Sequence, residues 1–196
     1  MAALAGTIFL SGCGREEPQF VQIEEIKETP HQVQQVAEHV HTPGDGHDHS
    51  ADTDAGFAFE APVGWTSKPP SSMVLLSFQA GQPPQNMADV TVSAFPGDVG
   101  GQVANINRWR RQVGLQPVDE VTAAGLVTER EISGFPAWQV SLIGPIDASR
   151  VGEPVKMVVA AVAHDGKTWF FKLMGGESGV NDELASYEAF LTSVQF

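Results

Sequence analysis

Residues 154–175, PVKMVVAAVAHDGKTWFFKLMG, constrain this chain more than any other stretch, because two apolar runs flank Asp165-Gly166. A two-residue type I′ turn needs positive φ at both central positions, which Asp and Gly tolerate, and it joins antiparallel strands. The segment therefore predicts a hairpin, and with it a sheet not built from regular βαβ crossovers.

The remaining punctuation extends that sheet. FAFEAPVGW (57–65) alternates large and small residues and ends in a Pro62/Gly64 turn, SMVLLSFQ (72–79) has the texture of a buried strand, and MADVTVSAFP (87–96) alternates at Val90, Val92 and Ala94. AGQPPQN between the last two is a loop. From Gln102 the period becomes helical, with Val103, Ile106, Arg110 and Val113 on one side, Trp109 adjacent and Gly114 as C-cap. PVDEVTAAGL predicts a short helix opened by Asp119, and VTEREISGFPAWQVSLIGP two strands about Gly134. NDELASYEAFLTSVQF predicts a closing helix capped near Asn181, with Leu184, Tyr187, Leu191 and Val194 on one stripe. The order β-β-β-α-α-β-β-β-β-α is that of an α+β fold, an antiparallel sheet covered by helices.

One cysteine, Cys13, permits no internal disulfide, so stability must come from a packed interior to which four Trp and eleven Phe contribute. Three segments follow: 1–13, 14–55 and a single domain over 56–196. Residues 14–55 are polar and acidic, too poor in apolar side chains to bury a core, and are expected to form a flexible linker. The net charge of −13 is concentrated there: residues 1–54 hold 10 acids and 2 bases (−8), the remainder 14 and 9 (−5). Such a balance excludes nucleic acid as a partner.

Residues 1–13, MAALAGTIFLSGC, are an apolar run too short to span a membrane, ending in small residues and the cysteine. Leu10-Ser11-Gly12-Cys13 resembles the bacterial lipobox, which implies lipid attachment at Cys13, a membrane tether through that N-terminal lipid, and an extracytoplasmic place in the bacterial cell envelope. None of the first twelve residues is basic, whereas signal peptides open with a basic region, so the true start is expected upstream of Met1.

FAFEAPVGWT, the strands and middle helix after it, GKTWFFKLMG and the closing YEAFLTSVQF together resemble the PsbP/Mog1-like fold, which includes small bacterial lipoproteins. GDVGGQVANINRWRRQVGL is similar to a stretch of uncharacterised planctomycete-type lipoproteins. The resemblance covers about residues 56–196. It implies accessory or protein-binding roles and transfers no catalytic residue.

That same segment raises a sharper question, because Gly97, Gly100 and Gly101 precede a helix carrying Arg108, Arg110 and Arg111. A phosphate site needs free N–H groups at the helix start and a nearby cation. The glycine spacing matches neither phosphate-loop pattern, the arginines lie about two turns beyond Gly101, and Asp98 repels an anion unless it caps the helix. The residues favour a turn. Asn105 and Asn107 suit side-chain hydrogen bonds to a neighbouring loop or a partner, and Asn105, Arg108, Trp109 and Arg111 form the candidate partner-binding face, since Arg and Trp are enriched at interface hot spots.

HVHTPGDGHDHS (39–50) places His39, His41, His47 and His49 with Asp45 and Asp48 about a Pro-Gly turn, with His31 upstream. Imidazole and carboxylate together bind Zn²⁺ or Cu²⁺, and such a tract would be an open, exchangeable site; otherwise it is a soluble spacer. No other cofactor is implied. His164 is expected as a surface turn residue.

Catalytic patterns are weak. Ser178 in GGESGV lacks the final glycine of a nucleophile elbow, and Asp119-Glu120 and Asp182-Glu183 are explained by helix starts. The expectation is therefore a non-enzymatic, membrane-anchored accessory or interaction module, with extracytoplasmic metal capture as the alternative and a small ligand between sheet and helix as a further one.

Overall fold

The computed structural model describes residues 56–69, 71–81, 83, 86–146 and 152–196. The expectations for Cys13, His31, His39, His41, His47 and His49 lie outside the described residues.

The chain forms β1 (Thr66–Lys68), β2 (Leu76–Ala80) and β3 (Ala88–Pro96), then α1 (Gly101–Gln112) and α2 (Glu120–Ala124). It continues through β4 (Val127–Ile132), β5 (Phe135–Ile146), β6 (Pro154–His164) and β7 (Lys167–Gly176) to α3 (Glu177–Ser193). The seven strands of the described residues join one antiparallel sheet, in the order β1-β2-β3-β7-β6-β5-β4. The fold is α+β, as the hairpin signal requires.

Two tight turns set its register. Asp165 and Gly166 have φ of 46° and 66°, and His164 pairs with Lys167 across them. Ser133 and Gly134, at 53° and 78°, do the same between Ile132 and Phe135. Both pairs have the two positive φ values of a type I′ connection.

Helices cover both faces. On one, Tyr187, Phe190 and Leu191 of α3 pack on Phe78, Val90, Phe171 and the even-numbered residues of β6, Val158 to Val162. On the other, Ile106, Trp109 and Val113 of α1 with Ala123 of α2 pack on Val140, Leu142, Phe170 and the odd-numbered Met157 to Ala161. Because successive side chains of a strand point oppositely, β6 needs an unbroken apolar run to serve both cores, and 157–162 supplies it. The α1 layer reaches β3 at Phe95, but over the rest of β1 to β3 the same face carries Lys68, Ser77, Gln79, Thr91 and Ser93.

Four local expectations change. The first strand lies at Thr66–Lys68; Phe57 and Phe59 are instead buried anchors flanking a single bridge, Ala58 to Gln195. SMVLLSFQ is buried on one face only, because the α1 side of β2 is polar, and Met73 and Leu75 are exposed. The last helix starts at Glu177 and not near Asn181, since Glu153, distant in sequence, accepts from both Ser178 N–H (3.1 Å) and Ser178 Oγ (2.7 Å) and caps it. Asp182 and Glu183 therefore lie inside α3, where Asp182 accepts from Asn86 Nδ2 (2.7 Å) and Glu183 from Trp65 Nε1 (2.9 Å). Asp119 does cap α2, accepting from Thr122 N–H at 2.8 Å. Among the described residues no helix is long and apolar enough to cross a membrane.

Candidate functional site

The turn into α1 leans on the tip of the β6–β7 hairpin. Gly97 N–H donates to the Gly166 carbonyl (2.8 Å), and Thr168 Oγ1 donates to the Gly97 carbonyl (2.7 Å). Gly100 at the helix cap has φ of 81°, a conformation that Gly reaches without a Cβ penalty. Asp98 Oδ1 accepts from Gly101 N–H at 3.0 Å, so a carboxylate already stands where an anion would have to enter. The glycines turn the chain; the helix start is not a phosphate cradle.

The asparagines act locally. Asn107 bonds Val118 in both directions, donating from Nδ2 to its carbonyl (2.9 Å) and accepting its N–H at Oδ1 (2.8 Å). Arg110 Nε donates to the Gln116 carbonyl at 2.7 Å, and together these bonds fix the α1–α2 connection against α1. Asn105, placed by sequence on a contact face, is 2% exposed; its Nδ2 donates to Val99 (3.1 Å) and Gly101 (2.8 Å) carbonyls. Its Oδ1 is buried with no partner among the described residues.

Trp109, also expected on the contact face, is buried as well. It is 6% exposed and packs against Trp138 and Phe170, with ring centres 5.7 and 5.4 Å away, because its side of α1 faces the sheet. Arg111 is exposed and Arg108 half-buried, so only these two of the four candidate contact residues are offered to solvent on α1. Val121 of the adjoining α2 is also exposed.

Beside the turn lies a cleft of about 380 Å³ whose lining includes Asp98, Gln102, Asn105, Trp138, Asp165 and Lys167. A second, more open one of about 930 Å³ runs along β4 past Glu129, Arg130 and Glu131 and shares Gln102 and Trp138 with the first. Pairing places Glu129 opposite Trp138 on the α1 side, whereas Arg130 points to the α3 side, where Nη2 meets Glu188 Oε2 at 2.9 Å and Nη1 contacts Gln139. The sequence reading passed over Glu129 and Glu131, although their spacing of two within TEREI already puts them on one face of a strand.

His164 does lie at the hairpin turn, yet it is half-buried: its ring stacks on Phe196 at 4.4 Å and meets Phe135 at 4.5 Å. Among the described residues no three His, Cys, Asp or Glu side chains are gathered to hold a metal ion.

No protein-family model matches this sequence, and no curated protein sequence matches it. Solved structures similar to the chain include one from Bacteroides thetaiotaomicron (11% identity, TM-score 0.44), matched over 71% of this chain but only 44% of its own length. They include LpqN of Mycobacterium tuberculosis, described as involved in cell envelope biogenesis (14% identity, TM-score 0.45, 71% of this chain and 82% of that one). They also include the cyanobacterial PsbP (CyanoP) of Synechocystis sp. (15% identity, TM-score 0.46, 74% and 88%). At such identities and TM-scores these likenesses carry no argument about function.

Proposed function

We infer that this protein is a lipid-anchored, extracytoplasmic accessory protein of the bacterial envelope whose domain contacts a protein partner and performs no chemistry of its own. The observation that carries the reading is Leu10-Ser11-Gly12-Cys13 followed at once by a polar, acidic stretch, the arrangement of an acylated cysteine with a spacer behind it. On the domain, Arg108 and Arg111 of α1, with Val121 exposed on the adjoining α2, supply guanidinium groups and apolar surface for a partner. Labelling of cells with a fatty-acid analogue tests the anchor: the parent chain takes up label and the Cys13→Ser chain does not. Affinity recovery from solubilised envelopes tests the contact, with loss of a specific co-purifying protein expected for Arg108→Glu/Arg111→Glu. Unlabelled parent chain, or a partner list unchanged by the double substitution, overturns the corresponding half.

A second reading rests on the His39, His41, His47 and His49 tract with its interleaved carboxylates, which has the donor set for weak, exchangeable capture of Zn²⁺ or Cu²⁺. Calorimetric titration with either ion checks it: heat is expected from the full chain and not after deletion of residues 31–50.

A further inference from the structure

On the α1 side of the sheet the two clefts share Gln102 and Trp138, and their lining holds four acidic residues against two cations, Lys167 and Arg130. Asp98 and Asp165 line the first; Glu129 and Glu131 line the second. Both cations of the lining are engaged on the α3 side. Lys167 Nζ lies 5.7 Å from the ring centre of Trp169, whose side chain belongs to the α3-side core, and Arg130 is paired with Glu188 of α3.

A separate observation calls for the same chemistry. Asn105 lines the first cleft and is 2% exposed, and the donation of its Nδ2 to Val99 and Gly101 fixes which end of the amide is left over. What remains is Oδ1, a pure acceptor without a donor among the described residues. A buried carbonyl oxygen in that condition is costly, and a hydrogen-bond donor relieves it.

The groove also has a direction. β4 is the outer strand, and among the described residues nothing pairs with its far edge. Glu129 and Glu131, two residues apart on one face, stand about 7 Å apart along that edge, the repeat of alternate side chains in any extended strand laid beside it.

We propose that this groove docks an extended, lysine- or arginine-bearing segment of a partner protein, its basic side chains at alternate positions against Glu129 and Glu131 and a donor directed to Asn105. Charge decides against the chain's own residues 1–54, which hold 10 acids and 2 bases. It decides against a second copy pairing through β4 as well, since that strand brings its own Glu129 and Glu131 to the junction. This surface is distinct from Arg108 and Arg111, and either can fail without the other.

The test titrates the full ¹⁵N-labelled chain with an acetylated, amidated peptide of alternating lysine and threonine, and with the peptide carrying glutamate for lysine. The lysine peptide alone is expected to shift Gln102, residues 129–132, the Trp138 indole and the Asn105 side-chain amide. Glu129→Gln/Glu131→Gln, two exposed substitutions that leave the acidic linker intact, is expected to weaken binding about tenfold. Equal affinity in that variant, shifts confined to residues 14–55, or no binding overturns the proposal.

Discussion

The Tyr187 hydroxyl donates to the Phe171 carbonyl at 2.7 Å and accepts from Ala160 N–H at 3.3 Å. Helix α3 is thereby tied by one side chain to the two central strands β6 and β7, inside a core where Tyr187 has no exposed surface. Burial pushes this phenol far above its ordinary pKa, so it stays protonated and able to donate across the range in which the protein is folded. Tyr187→Phe keeps the ring and removes both bonds; urea unfolding is expected to show a loss of about 1–2 kcal/mol with an unchanged m-value.

A second expectation concerns Gly144 of β5. A Cβ built there overlaps the carbonyl oxygen of Val113, where the end of α1 rests directly on the strand. Backbone cannot yield as a side-chain tip does. Gly144→Ala is expected to cost about 2 kcal/mol or more, whereas Gly134→Asn, at φ 78° with nothing within 4 Å of its Cβ position, is expected to cost about 1 kcal/mol or less. Thermal unfolding of the two variants side by side checks the contrast.

The Glu153 cap predicts an acid-sensitive contribution. The Ser178 hydroxyl and then its N–H hold this carboxyl below its ordinary value of 4.5. A carboxylate depressed in the folded state adds stability above its unfolded pKa and loses it as pH falls through the folded one. Glu153→Gln is therefore expected to be less stable than the parent in denaturant at neutral pH, and the gap to close toward about pH 3. A gap independent of pH would assign the cap to shape alone.

Lys172 shares the direction with pH, but here the charged form is the unfavourable one. It stands between Thr91 and Val159 at the border of the α1 layer, and burial pushes its ammonium down, partly countered by Asp89. The unfolded chain then holds this proton more firmly, so stability rises as pH climbs through the folded pKa toward the ordinary 10.5. Lys172→Met, which removes the buried charge, is expected to raise the melting temperature at pH 7, with the gain shrinking at higher pH.

What could be foreseen followed from how local each signal is. The Asp165-Gly166 hairpin, the Asp119 cap and the helical stripe of α3 are written within a few residues, and each lies where the local chemistry puts it. The start of α3 was missed because its cap comes from Glu153, 25 residues away from Ser178. Phe57 and Phe59 alternate like a strand, yet they serve as anchors for the packing of α3 and the chain end. At the site, the helical period puts Trp109 next to the buried face of α1, and its burial against the sheet outweighs the general enrichment of Trp in interfaces. The burial of Asn105 could not be anticipated, because a polar side chain folded back on its own helix start leaves no periodic trace. The acidic groove emerges only once pairing sets Glu129 beside Trp138.

Strand β6 has one more implication. Val158 and Val159 are chain neighbours, yet the first touches only the compartment under α3 and the second only that under α1. Isotopically labelled methyl groups at this adjacent pair would act as two independent listening posts, one per side of a shared wall. A disturbance reaching both would have crossed the sheet; one heard at a single post would reveal which helix layer had been jostled.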